Sequence, residues 1–168
     1  MQLTVYNKRC SYRLFFLLTL SALSSLLHAA TPVGSLSYST DISVILGGTL
    51  MEDEGLLDDN LAGSRSLVNL GSIPNNAAID AYHNLGNGNH LVSFDTSVNL
   101  GGTTYEPADV VRYNGSIYIM EFDASTKNVP SGVNVDALSI DNGNLLLSFD
   151  QTVTLSSTTF DDEDLLRL

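Results

Sequence analysis

Cysteine, tryptophan and basic residues are scarce in this sequence of 168 residues, and each scarcity excludes something. One cysteine cannot form a disulfide within the chain, whereas a hydrophobic content of 43% is sufficient for a sizeable core. Seven basic residues against nineteen acidic ones give a net charge of −12, which disfavours nucleic acid and anionic membrane surfaces as partners. The common phosphate-binding, zinc-protease and serine-hydrolase motifs are also absent. The motif content therefore does not indicate an enzyme.

The first thirty residues differ in character from the rest of the chain. A basic start at Lys8, Arg9 and Arg13 is followed by an apolar run at 14–27 and by small residues that end at Ala30. This order predicts a secretory signal peptide over 1–30, with cleavage after Ala30. An uncleaved N-terminal anchor helix is the alternative, although the apolar run is shorter than the roughly 20 residues that span a bilayer.

Export would remove the only cysteine, Cys10, together with three basic residues. Residues 31–168 keep four basic and nineteen acidic residues, which is a net charge of −15. An acidic, cysteine-free exported protein fits a bacterial periplasm or exterior better than a eukaryotic secreted module, which commonly depends on disulfides. We therefore predict a periplasmic or extracellular protein with one domain at 31–168.

The rest of the chain repeats itself. The segments 79–113 and 135–168 share the pattern DA…NGN…SFD, a more divergent copy covers 36–59, and equivalent residues lie 54 or 55 positions apart. A repeat of this length predicts structural units that stack on one another, because a single unit cannot bury both of its faces. We place three units, at about 31–78, 79–134 and 135–168.

Each unit is predicted to consist of short β-strands. The apolar runs 79–83, 90–94, 110–113 and 117–122 of the middle unit are separated by turn-forming residues. Asn-Gly pairs predict two-residue hairpin turns, because both turn positions require a positive φ. A polar loop with one apolar anchor, Leu100, is predicted between the second and third strands. By this comparison the first unit lacks the first strand and the third unit lacks the last.

Four short antiparallel strands per unit predict a propeller-like blade. Propellers typically close with about four to eight blades, so three partial units would form an incomplete ring. The predicted fold class is therefore all-β, an antiparallel propeller-like repeat of about 55 residues per unit. A β-sandwich made of the same strands is the alternative.

The pattern [VI]DA…NGN…[LV]SFD…LGG…[DE]xxD[LV][LV]R resembles a repeat of uncharacterised exported bacterial proteins, in which it often stands beside C-terminal sorting tails. The resemblance covers 79–168 closely and 36–72 more distantly. It implies a propeller-like fold and export, and it implies no particular chemistry. This chain departs from the pattern in its small number of copies.

Acidic residues recur at equivalent places and define the candidate site. Asp95 and Asp150 follow the second strand of their units, whereas Asp109, Asp161 and Asp164 precede the third. Calcium takes six to eight oxygen ligands, which loop carboxylates and carbonyls can supply, so these five residues are the candidate calcium ligands. The alternative is that they cap turns by accepting hydrogen bonds from backbone N–H groups. Recurrence favours capping, because a ligand site need not repeat in every unit.

The histidines support a different hypothesis. His83 and His90 could face each other across a hairpin and form a metal pair, or a His/Asp catalytic unit with Ser93 or Asp95 nearby. A hydrolase on a propeller-like scaffold is therefore an alternative function, although ordinary strand histidines are the simpler explanation.

We expect a non-enzymatic, exported β-repeat protein that binds or interacts with a partner. The expected partner is a protein or a carbohydrate, a homo-oligomer is an alternative assembly, and calcium is the candidate cofactor. A truncated fragment of a longer propeller, without a function of its own, is the third alternative.

Overall fold

The computed structural model describes residues 34–168, so the predicted signal peptide at 1–30 lies outside the described residues. Residues 35–168 form one unit of contacts. The structure of this unit is antiparallel β, with one short 3₁₀ helix at Ser125–Lys127 and no α-helix among the described residues. The predicted all-β class is confirmed. In the described part of the chain, no helix has the length and apolar character needed to cross a membrane.

The first segment contains five strands: β1 (Leu36–Tyr38), β2 (Val44–Leu46), β3 (Thr49–Met51), β4 (Leu57–Asp59) and β5 (Arg65–Leu67). Strands β1, β4 and β5 pair antiparallel in that order, and β2 pairs with β3 as a separate hairpin. The hairpin therefore lies in the connection between the first two strands of the sheet.

The middle segment contains six strands: β6 (Ile79–Gly86), β7 (Asn89–Phe94), β8 (Val98–Leu100), β9 (Thr103–Tyr105), β10 (Val110–Tyr113) and β11 (Tyr118–Phe122). Its sheet has four antiparallel strands in the order β6–β7–β10–β11, and β8 pairs with β9 as a separate hairpin. This is the widest sheet among the described residues.

The third segment contains five strands: β12 (Val135–Asp141), β13 (Asn144–Phe149), β14 (Val153–Leu155), β15 (Thr158–Phe160) and β16 (Leu166–Arg167). Strands β12, β13 and β16 pair antiparallel in that order, and β14 pairs with β15. Strand β16 pairs with β13 on one side and has no strand on the other side within the described residues.

Both faces of the middle sheet are buried. Leu91 and Val110 belong to an apolar core shared with the third segment, whereas Val92 and Val111 belong to a second core shared with the first segment. All four side chains are at most 1% exposed. Because neighbouring residues of a strand point to opposite faces, a sheet that is covered on both sides needs an almost continuous apolar run. This requirement explains the sequence HLVSF of β7.

The predicted Asn-Gly turns are confirmed. Asn87 and Gly88 join β6 to β7 with φ values of 53° and 74°, and Asn142 and Gly143 join β12 to β13 with φ values of 50° and 82°. Positive φ at both positions matches the twist of the strands that such a turn connects.

The polar loop predicted after β7 is wrong, because this stretch is the hairpin β8–β9. Gly101 and Gly102, with φ values of 61° and 88°, form its two-residue turn. Val98, Leu100 and Tyr105 are the buried residues of this hairpin. The prediction recognised Leu100 as an apolar anchor and overlooked the alternation of buried and exposed residues on either side of the glycines.

The matching turn in the third segment carries serines in place of glycines. Ser156 and Ser157 have φ values of 50° and 72°, a region that glycine adopts far more easily than serine. We therefore expect Ser156→Gly with Ser157→Gly to stabilise the fold by about 0.5–2 kcal/mol, because the strain at both positions is relieved. Urea denaturation would measure the gain. The reverse change in the middle segment, Gly102→Ser, serves as the control and should destabilise. A loss of stability in the glycine variant would contradict this account.

Candidate functional site

The segments are joined by a hydrogen bond from a serine to the backbone of the next segment. The Ser93 hydroxyl, fully buried, donates to the Val135 carbonyl at 3.0 Å, which links β7 to the start of β12. The Ser39 hydroxyl, just after β1, donates to the Ile79 carbonyl at 2.8 Å, at the start of β6. Ser39 and Ser93 are 54 residues apart, so equivalent serines make equivalent contacts. Each second strand thus holds the first strand of the following segment.

The third serine of this series has a different partner. Ser148 lies 55 residues after Ser93, and its hydroxyl donates to the carboxylate of Asp136 within its own sheet. The described residues contain no further segment whose carbonyl it would meet. Ser148 therefore lies at the position from which Ser39 and Ser93 each bond to the next segment.

Five aspartates from all three segments form what we call the acidic row. Desolvation of the carboxyl, followed by the negative charges of Asp95, Asp41, Asp150 and Asp136, raises the pKa of Asp80 to about 6. Asp80 is exposed as a residue, and the repulsion between the carboxylates acts on it without any need for burial. Such repulsion disfavours the ionised form and is weakened by salt.

Four of the five candidate calcium ligands accept hydrogen bonds from neighbouring groups of the chain. Asp109 is buried and accepts from the backbone N–H groups of Glu106 and Ala124, at 2.8 and 2.9 Å. Asp164 accepts from the N–H of Asp161 at 3.0 Å. The capping interpretation accounts for these contacts, because each satisfies a backbone donor that the turn leaves unpaired.

Of the remaining candidates, Asp150 and Asp161 accept hydrogen bonds, and Asp150 and Asp95 belong to the acidic row. Asp150 accepts from the Asn134 N–H at 2.8 Å, and Asp161 accepts from the Thr152 hydroxyl at 3.2 Å. Asp95 is exposed and belongs to the acidic row. Among residues 34–168, no group of three or more histidine, cysteine, aspartate or glutamate side chains is arranged to hold a metal ion. The calcium assignment stays a prediction.

A second recurring contact closes the base of each small hairpin. A hydroxyl before the hairpin donates to an acid nine residues later, after the hairpin, in the pairs Ser43–Glu52, Ser97–Glu106 and Thr152–Asp161. This contact gives the acids at these positions a structural role in every segment.

The two histidines lie on opposite faces of the middle sheet. His83 is paired with Leu91, and His90 is paired with Asn84, so the strand register separates their side chains. His90 is buried, its Nδ1 lies 2.9 Å from the Tyr82 hydroxyl, and burial lowers its pKa. The hypothesis that the two histidines face each other is wrong. Ser93 is also engaged elsewhere, since its hydroxyl bonds to the next segment.

No protein-family model matches the chain, and no match was found among the curated proteins or the solved structures with which it was compared.

Two cavities carry carboxylates and no basic side chain. One, of about 300 Å³, lies between the turn at Glu106 and Asp109 and the loop that contains Asp123. The other, of about 420 Å³, lies beside Glu52 and Glu54 in the first segment. Carboxylates without a compensating basic group disfavour anionic ligands at both places.

Sequence reasoning missed the linking role of Ser93. The available signal was a serine that recurs inside an otherwise apolar strand, since a fully buried hydroxyl needs a hydrogen-bond partner. The partner could not be inferred, because it belongs to a strand 42 residues further along the chain.

We expect Ser93→Ala to lower the free energy of unfolding by about 1–3 kcal/mol, because it leaves the buried Val135 carbonyl without its donor. Urea denaturation would measure this loss. Ser148→Ala is the matched control, and it should cost less because the Ser148 contact lies at the surface. Equal losses in the two variants would contradict a special role for the bond between segments.

The acidic row predicts a pH dependence of stability. The pKa of Asp80 in the folded chain, about 6, is above the ordinary value of 3.8, so its contribution to stability is complete below the ordinary value and is lost as pH rises to about 6. We therefore expect the stability of Asp80→Asn to match that of the unchanged protein near pH 3.8 and to exceed it above about pH 6.

Thermal melts across this range, at low and high salt, would measure the difference, and high salt should reduce it. Asp123→Asn is the control, and its effect on stability should have the opposite sign, since hydrogen bonds from Ser125 and Thr126 lower the pKa of Asp123. A pH profile of Asp80→Asn parallel to that of the unchanged protein would contradict repulsion in the acidic row.

Proposed function

We propose that this protein is an exported, non-enzymatic interaction module built from propeller-like units. One observation carries the proposal: two segments hold their neighbours through the same serine-to-carbonyl bond, and the third offers the equivalent position. A surface that already binds a β-segment twice within the chain is suited to bind a further one. The meander order β6–β7–β10–β11 supports the propeller-like interpretation over a sandwich, because each sheet is built from strands of one segment and the sheets follow one another along the chain.

The chemistry of the surface supports a partner that is neutral or basic. The acidic row runs across all three segments, and both cavities carry carboxylates. Acidic surfaces attract cations and basic segments and repel nucleic acid and anionic lipid. Export through residues 1–30 is part of the same proposal, and it rests on the order of basic, apolar and small residues there.

Calcium is the cation that we propose for this surface. A divalent ion beside the acidic row would offset the repulsion that raises the pKa of Asp80. Ion binding to the folded form alone stabilises it by about 2.7 kcal/mol at a concentration one hundred times the dissociation constant.

We expect the melting temperature of the full chain to be several degrees higher in millimolar calcium than in EDTA, as measured by circular dichroism. Magnesium at equal concentration is the control for general screening. An unchanged cooperative melt would overturn calcium and leave the interaction role in place. Turnover of simple ester, glycoside or peptide substrates by the purified chain would overturn the non-enzymatic role.

A further inference from the structure

Among residues 34–168, no strand pairs with the outer edge of the third segment at 165–168. The corresponding strands of the other segments, β4 and β10, each lie between two neighbours, whereas β16 has only β13. The correspondence is exact in register: Leu166 is paired with Leu147 as Val111 is paired with Val92. An unpaired edge displays a row of backbone donors and acceptors to any incoming strand.

Two apolar side chains at this edge are exposed where their counterparts are buried. Leu165 and Leu168 are 66% and 44% exposed. The residues 55 positions earlier, Val110 and Tyr113, are 0% and 6% exposed. In the middle segment β11 lies over them, with Phe122 paired with Val110 and Tyr118 paired with Tyr113.

Arg167 at this edge also lacks an ion pair of the kind that joins neighbouring strands in the other two segments. Arg112 of β10 forms an ion pair with Glu121 of β11, and Asp59 of β4 pairs with Arg65 of β5 at 2.7 Å. In each case the ion pair joins the strand that corresponds to β16 to the strand paired with its outer edge. The counterpart of Arg112 is Arg167, which instead reaches back to Asp141 of its own sheet at 3.2 Å and remains 52% exposed.

The Asp164 carboxylate beside the edge accepts a hydrogen bond with one oxygen, whereas its counterpart Asp109 accepts with both oxygens. Asp109 accepts from Glu106 N–H with Oδ2 and from Ala124 N–H, just beyond β11, with Oδ1. Its counterpart Asp164 accepts from Asp161 N–H with Oδ2, and no second donor reaches it from the described residues. A donor following a fourth strand would therefore complete this cap.

We propose that the edge 165–168 binds an extended peptide segment with the side-chain pattern of β11, which adds to the sheet as a fourth strand. The segment has aromatic or aliphatic residues that cover Leu165 and Leu168, an acidic residue that pairs with Arg167, and a backbone N–H that reaches Asp164. Main-chain hydrogen bonds supply affinity and the side chains supply selectivity. This assignment rests on the proposed interaction role and names the chemistry of the partner.

The sequence of β11 provides the probe for this proposal. A labelled synthetic peptide of residues 116–125, SIYIMEFDAS, carries the required side chains in the required order. We expect saturable one-to-one binding to the full chain by fluorescence anisotropy. Arg167→Glu should weaken binding at least tenfold, and so should Glu121→Lys in the peptide. Combining the two changes should restore much of the affinity, because the ion pair is re-formed with its charges exchanged.

Arg112→Glu is the matched control, since a peptide that displaced β11 from the middle sheet would depend on Arg112 instead of Arg167. Arg167 and its partner Asp141 are both about half exposed, so replacing Arg167 should lower the melting temperature only slightly. Absence of saturable binding at millimolar peptide, or binding that is insensitive to Arg167→Glu, would overturn the edge assignment. Either result leaves the interaction role standing, which only substrate turnover by the chain would overturn.

Discussion

The fold depends on covering both faces of the middle sheet. Strands β7 and β10 direct alternate side chains into two different cores, one completed by the first segment and the other by the third. Packed sheets generally lie about 10 Å apart, so each core excludes water only while the segment that completes it covers the middle sheet. Burial of apolar surface on this scale is the main favourable term in folding. The Ser93 bond between segments is buried, whereas the Ser39 bond is partly buried.

The distribution of charge follows from the same packing. The interior is mostly apolar, so most of the nineteen acidic residues lie in turns, at strand ends or along the surface, and Asp59 and Asp109 are buried. In the turns they accept hydrogen bonds from backbone N–H groups, as Asp109 and Asp164 do. At the strand ends they meet one another, because stacking brings equivalent positions of successive segments together. The acidic row is thus a consequence of repeating two aspartate positions in successive sheets.

The third segment differs from the middle one at its outer edge. Leu165 and Leu168 have the apolar character of strand residues that are buried elsewhere, and Arg167 has the charge that pairs across strands elsewhere. Edge strands of soluble proteins are usually protected by charges, prolines or bulges. The protection here is limited to one arginine, which is the residue that an acidic segment would engage. The proposed interaction role and the edge therefore share one physical origin, an apolar sheet with a side that residues 34–168 leave uncovered.

The sequence by itself determined the all-β class, the positions of most strands and the Asn-Gly turns, because period-two patterns and positive-φ requirements are local. It also indicated that the recurring aspartates cap turns. The tertiary structure alone decided that Ser93 joins two segments, that the histidines lie on opposite faces, that five aspartates converge, and that the 165–168 edge is uncovered. Each of these depends on strand register or on contacts between residues far apart in the chain, and neither is specified by local preference.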